Sequence, residues 1–291
     1  MEAAQQKIRN HYGLVFPNDF FEFWDFAQWL NPEDPLNALE ADLEINLVGP
    51  FEVLAGRFDE QQPQLPFILH WRFYRDPPEF FTVLAGQVDG LHWGYYFDDP
   101  SMLPGCVCRY YQNDAYQLEN SGSTLFDAVE THLAKQLEGI QADIEDGVED
   151  LEDWQEQLDQ LSELSAKLQQ FQAGRTITNS VPARVITAPT WDEMGIVVSP
   201  ELYRPLVKHT KAEKLIEARE ALETGFPGTA LKFGKDLWSL HSEEWEPHAI
   251  ALLDAAYAAL NRPLLQQVLQ NHLQHRDPAL AWIDILASWY L

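Results

Sequence analysis

The stretch LHWRFYRDPPEFF, Leu69 to Phe81, carries five aromatic side chains, a histidine, two arginines, two acids and a Pro-Pro step in thirteen positions. Alternating aromatics suit a half-buried pleat and proline ends a strand ladder, so the pattern predicts a strand over Leu69 to Tyr74 that enters a turn at Arg75 to Pro78. Short runs rich in β-formers and bounded by Gly, Pro or Asp extend on both sides: Ile45 to Leu54, Leu65 to Phe73, Phe80 to Ala85, Leu91 to Tyr96 and Val107 to Tyr111. They predict an antiparallel sheet. A helix is expected ahead of it, Pro17 to Leu30, with Asn18 as cap and Phe20, Phe21, Phe23, Trp24, Ala27 and Leu30 at near-helical spacing. A second, Thr124 to Leu137, follows the turn at Ser121 to Ser123.

Beyond the sheet the composition changes. Ten acids fall between Asp143 and Glu163, and no Lys or Arg occurs from Gln136 to Ala166. Leu151, Trp154, Leu158, Leu161 and Leu168 mark one stripe of a long helix or helical hairpin. A threonine-rich connector, Gly174 to Pro189, leads to amphipathic runs at Lys211 to Leu222, Thr229 to Leu240, His248 to Leu260, Leu264 to Gln274 and Leu280 to Tyr290. The expected class is α+β: an N-terminal antiparallel sheet flanked by helices (1–135), a long acidic helical connector (136–190) and a mainly helical C-terminal domain (191–291).

A formal charge of −27 on 291 residues repels phosphate backbones, so no direct nucleic-acid binding is expected. Neither a membrane span nor a signal peptide is read, which points to a cytoplasmic protein. Cys106 and Cys108 place alternate side chains on one strand face and read as packing. The nine histidines include no HExxH motif and no tight Cys/His cluster, so no metal site is expected. His70 and His92 read as core or rim residues, and Arg72, Arg75, Asp76 and Glu79 as an ion-pair network bracing a turn. No GxGxxG, Walker or GxSxG pattern is present, so the chain offers no nucleotide pocket or hydrolase triad of its own.

Five blocks in order carry a resemblance: YGLVFP at Tyr12, FFEFWDF at Phe20, LVGPFEVLAG at Leu47, LHWRFYRDPPEF at Leu69 and HWGYYFDDP at His92. Together they resemble the histone PARylation factor family, and MGIVVSPELYRPL at Met194 is similar to a further segment of it. The resemblance implies an accessory factor that binds an ADP-ribosyltransferase of the poly(ADP-ribose) polymerase type and completes its active site with a carboxylate, directing transfer to serine. It implies no cofactor of its own, NAD being bound by the partner transferase, a protein substrate with a serine acceptor, and a monomer. Animal members carry an N-terminal zinc finger that is not expected here. Their connector is basic, and its acidic counterpart here points away from a nucleosome substrate.

Carried onto this chain, the resemblance assigns the catalytic roles to Glu223 and Arg204 and partner binding to Tyr203, Arg204, Glu223 and Thr224. TGFPGTALKFGKDLW, Thr224 to Trp238, is similar to the family stretch that follows its Asp-Glu pair. Counting back from Gly234 and Asp236 puts the base position on Thr224, and a one-residue shift puts it on Glu223. Two other classes stay open: an acidic immunity-type module that inhibits a transferase or toxin, and a free-standing enzyme. The chain is not read as an enzyme by itself, because no complete set of nucleophile, base and orienting group is visible.

Overall fold

The computed structural model describes residues 2–60, 65–112, 117–147, 151–175 and 183–276. Helix α1 (Glu2–Tyr12), unexpected from the sequence, precedes α2 (Asn18–Leu30). Asn18 is the first helical residue rather than the cap; extended Pro17 occupies that place without a side-chain bond. After α3 (Glu40–Leu43), strand β1 is cut to Ile45–Leu47, because Gly49 turns at φ +60° and Pro50 opens the short helix α4 (Pro50–Leu54). A methyl group on Gly49 would sit 2.8 Å from the Thr82 carbonyl oxygen, so no other residue fits this turn without a shift.

Strands β2 (Phe80–Gly86), β3 (Leu91–Tyr96), β4 (Cys106–Tyr111) and β5 (Glu119–Gly122) complete a five-stranded antiparallel meander in the order β1-β2-β3-β4-β5. β2, β3 and β4 match the expected runs to within a residue. The strands read as unbroken apolar runs because both faces are covered. Leu91, Trp93, Tyr95 and Val107 point to the main core with α2 and with α5 (Leu125–Asp146). Phe80, Tyr96, Cys106, Cys108 and Tyr110 point to the opposite face, where Met194 joins them. Thr124 caps α5 with its hydroxyl, accepting the Asp127 N–H at 2.9 Å.

The region expected as a strand from Leu65 to Tyr74 is not one. A 3-10 turn at Phe67–Leu69 runs into irregular backbone, with Trp71 at φ +56°. Two buried charges organise it instead. Glu52 accepts from the Trp71 indole (2.6 Å) and the Gly49 N–H (3.0 Å), and lies 2.5 Å from His70 Nε2. Arg72, 2% exposed, donates to the carbonyls of Pro77 (2.9 Å) and Phe80 (2.7 Å). Within the Arg72/Arg75/Asp76/Glu79 group the charges of Asp76 and Glu79 act on the buried Arg72, and both acids also bond outside the turn. Asp76 takes the Phe73 N–H, His92 and Tyr110, while Glu79 reaches across the molecule to the Tyr257 hydroxyl.

The acidic stretch forms α5 and α6 (Leu151–Gln172), antiparallel neighbours that pack back on the N-terminal part through Leu161, Leu164, Leu168 and Phe171. Phe171 contacts the rings of Phe26 and Phe126. After a bridge between Ala188 and Ile196, the chain enters α7 (Lys211–Glu223), α8 (Pro227–Trp238), α9 (Glu246–Ala259) and α10 (Pro263–His275). Four of the expected C-terminal helices are present with ends shifted by at most two residues. The fifth, Leu280 to Tyr290, lies outside the described residues. No helix of the described residues is long and apolar enough to cross a membrane.

Candidate functional site

Helix α7 starts on a capping box, Thr210 with Glu213, and stops at Glu223. Gly225 at φ +91° reverses the chain, and the Phe226 N–H returns to the Ala221 carbonyl at 2.8 Å. This left-handed stop followed by Pro227 at the first turn of α8 holds two helices at a fixed angle across a three-residue turn. Glu223, Thr224 and Gly225 all stand exposed on it. The Thr224 hydroxyl is turned inward, donating to the Glu220 carbonyl at 2.8 Å.

Arg204 arrives at the same turn from nearly twenty residues upstream. Its backbone is clipped to α8: buried Thr229 accepts the Arg204 N–H (2.9 Å) and donates its hydroxyl to the Arg204 carbonyl (2.7 Å). Gly228 makes the approach possible, since a Cβ there would meet the Leu202 carbonyl oxygen at 2.9 Å. The exposed guanidinium lies 5.1 Å over the Phe226 ring, a cation–π geometry that holds the charge three residues from Glu223. Its charge also acts on Glu217 of α7: desolvation raises that carboxyl, but the N–H groups of Lys208 and Val207 and the charges of Lys208 and Arg204 together hold it below its ordinary value.

Tyr203 is half-buried against the core, and burial raises its phenol, with Lys232 and Asp236 of α8 close enough to act on it. The four residues singled out in the sequence are thus gathered around the N-terminal end of α8. Sequence reading missed Phe226, Thr229 and Gly228, which do the gathering. Their signal was the unusual GFPGT run before a helix, a turn followed by small residues that admit a second backbone.

A carboxylate and a guanidinium exposed together can accept a proton, hold an anion or meet a partner's charged cleft. They do not form a nucleophile–base–orienter set. Among the described residues no group of three His, Cys, Asp or Glu is placed to hold a metal ion.

The model of the family described as Histone PARylation factor 1 matches residues 3–225, which takes in the sheet, the α5–α6 hairpin, Arg204 and the turn at Glu223. The chain belongs to the histone PARylation factor family. Among its relatives in the family, Histone PARylation factor 1 of Bos taurus is 30% identical over 305 residues, covering 94% of this chain and 87% of that protein. The protein of that name from Danio rerio is 30% identical over 303 residues, covering 95% and 86%. Both alignments extend through the helical C-terminal part as well as the sheet.

Proposed function

We propose that this protein is an accessory factor to an ADP-ribosyltransferase of the poly(ADP-ribose) polymerase type, and that it lends the transferase a carboxylate for transfer to hydroxyl acceptors, serine above all. The observation that carries this is the anchoring of Arg204 over Phe226, on the exposed turn that begins at Glu223, in a member of a family named for histone PARylation. NAD is the partner's substrate. Transfer breaks the ribose–nicotinamide bond through a cation-like centre, and nicotinamide leaves with the electron pair. The acceptor hydroxyl attacks that carbon as the Glu223 carboxylate takes its proton, which makes serine competent at neutral pH.

Two features favour Glu223 over Thr224 as this base. Thr224 is not an acid, and its hydroxyl is spent on the carbonyl that closes α7. Arg204 meanwhile is held rather than free, so its charge can anchor the transferase cleft while its neighbour reaches in. The exposed acids of α6, Glu152, Glu156, Asp159 and Glu163, suit a basic protein as acceptor.

The test adds wild type and Glu223→Gln to the purified transferase of the same organism with labelled NAD and a serine-containing basic protein. Wild type is expected to raise hydroxylamine-resistant label, and Glu223→Gln to lower that rate by about 10²- to 10⁴-fold while binding as before. Equal label from both forms would remove Glu223 from the mechanism. A fall in total label with wild type would mark the protein as an inhibitor instead.

A further inference from the structure

The loop that closes the Ala188–Ile196 bridge carries Trp191, whose indole is 65% exposed while the residues on both sides are buried. That alternation is imposed by hydrogen bonds. Thr190 donates its hydroxyl to Asp192 and accepts the Gly195 N–H at 2.6 Å, and Asp192 also accepts the Met194 N–H at 3.1 Å. The Trp191 N–H itself donates to Asp236 of α8 at 2.9 Å, and Asp236 is held in turn by Lys232 one helical turn back. Asp192 sits 3.7 Å from the buried Lys235 ammonium. The N–H groups of Trp191, Met194 and Gly195 are therefore all taken up by side chains, yet the loop's largest side chain stays in water.

The loop stands next to the candidate site rather than apart from it. Asp236 and Lys232, which hold Trp191, are the same α8 groups that act on Tyr203, and Thr229 one turn earlier clips Arg204. Trp191, Tyr203, Arg204 and the Glu223 turn thus follow one side of α8. Ile186, 43% exposed, lies over Gly195 of the same loop.

We propose that Trp191 is an anchor that docks the transferase of the proposed function, its indole filling an apolar pocket on that protein while Arg204 and Glu223 enter the cleft. The inference rests on that reading. A rigid, exposed Trp loses little conformational freedom when it is covered and desolvates a large area, which is why Trp dominates the small set of residues that carry interface affinity. The charge selects the occupant: with −27 overall and the local Lys232–Asp236 pair neutralised, a pocket rimmed by Lys and Arg fits this face better than an acidic one or a second copy of the chain.

Binding of wild type, Trp191→Ala and Trp191→Phe to the purified transferase is measured together with serine label across a range of protein concentrations. Trp191→Ala is expected to bind at least about 30-fold more weakly and to need correspondingly more protein for half-maximal label, with the plateau reached. Trp191→Phe should recover most of the affinity, which separates a lost anchor from a damaged loop. Unchanged affinity of Trp191→Ala, with wild type still raising label, overturns the anchor and leaves the accessory function standing. Absence of both binding and label with wild type overturns the two together. Self-association of wild type that Trp191→Ala abolishes, with transferase affinity unchanged, would assign the face to a second copy and overturn the proposal.

Discussion

His132 on α5 is buried with its Nδ1 3.1 Å from Arg109 Nη1 and its ring against Trp93. A guanidinium can only donate, so Nδ1 must be the bare nitrogen. Burial first, and the Arg109 charge second, lower its pKa from 6.5 to about 4. An unfolded histidine takes up its proton near pH 6.5, whereas this one resists until about pH 4. Its contribution to stability is complete above pH 6.5 and is lost as pH falls through that window. His132→Gln is expected to flatten the stability profile between pH 7 and pH 4.5 by about 2 to 3 kcal/mol, read from urea unfolding at both values. A profile as steep as wild type would place the acid sensitivity elsewhere. At this scale the sequence was a fair guide to burial and a poor one to partners: His70 and His92 are core residues as read, but nothing local told that they face Glu52 and Asp76.

Among the elements, β3 has the strictest requirement. Gly94 pairs with Thr82 and Cys108, and a Cβ on it would stand 2.5 Å from the Phe81 carbonyl oxygen and 2.8 Å from the Phe80 ring. Gly94→Ala must push two backbones apart in the middle of the sheet and is expected to cost about 1 to 3 kcal/mol, measured as a drop in denaturation midpoint with an unchanged slope. Strands β2, β3 and β4 were legible because β-formers bounded by Gly, Pro and Asp are a local signal. The expected strand at Leu69 to Tyr74 failed for a non-local reason: Arg72 and Trp71 bond to groups brought there by α4 and β2, and satisfying a buried guanidinium outweighs the β-propensity of its aromatic neighbours. Strand β5, reading ENSG, has almost no β signal and exists because β4 offers it an edge.

Across the whole molecule, Lys235 joins the helices to the sheet. It is 3% exposed and donates to the Tyr96 hydroxyl on β3 and to the Gly195 carbonyl at 2.7 Å, with Asp192 beside it. Burial raises the carboxyl of nearby Glu79, and the Lys235 charge partly restrains the rise. Lys235→Met leaves Asp192 and Glu79 buried without that charge, so it should destabilise by about 3 to 5 kcal/mol. Because the bond spans both parts, sheet and helix probes are expected to shift together; separate transitions would show that the junction does not couple them. Local pattern determined the α+β class, the central strands, the helical character of the acidic stretch and four C-terminal amphipathic helices, since periodicity and turn chemistry act over a few residues. Only the tertiary structure decided that Arg204 meets the Glu223 turn, that Trp191 is held out beside them and that Lys235 closes the seam, because such contacts depend on which backbone lies against which, and the residues that make them are far apart along the chain.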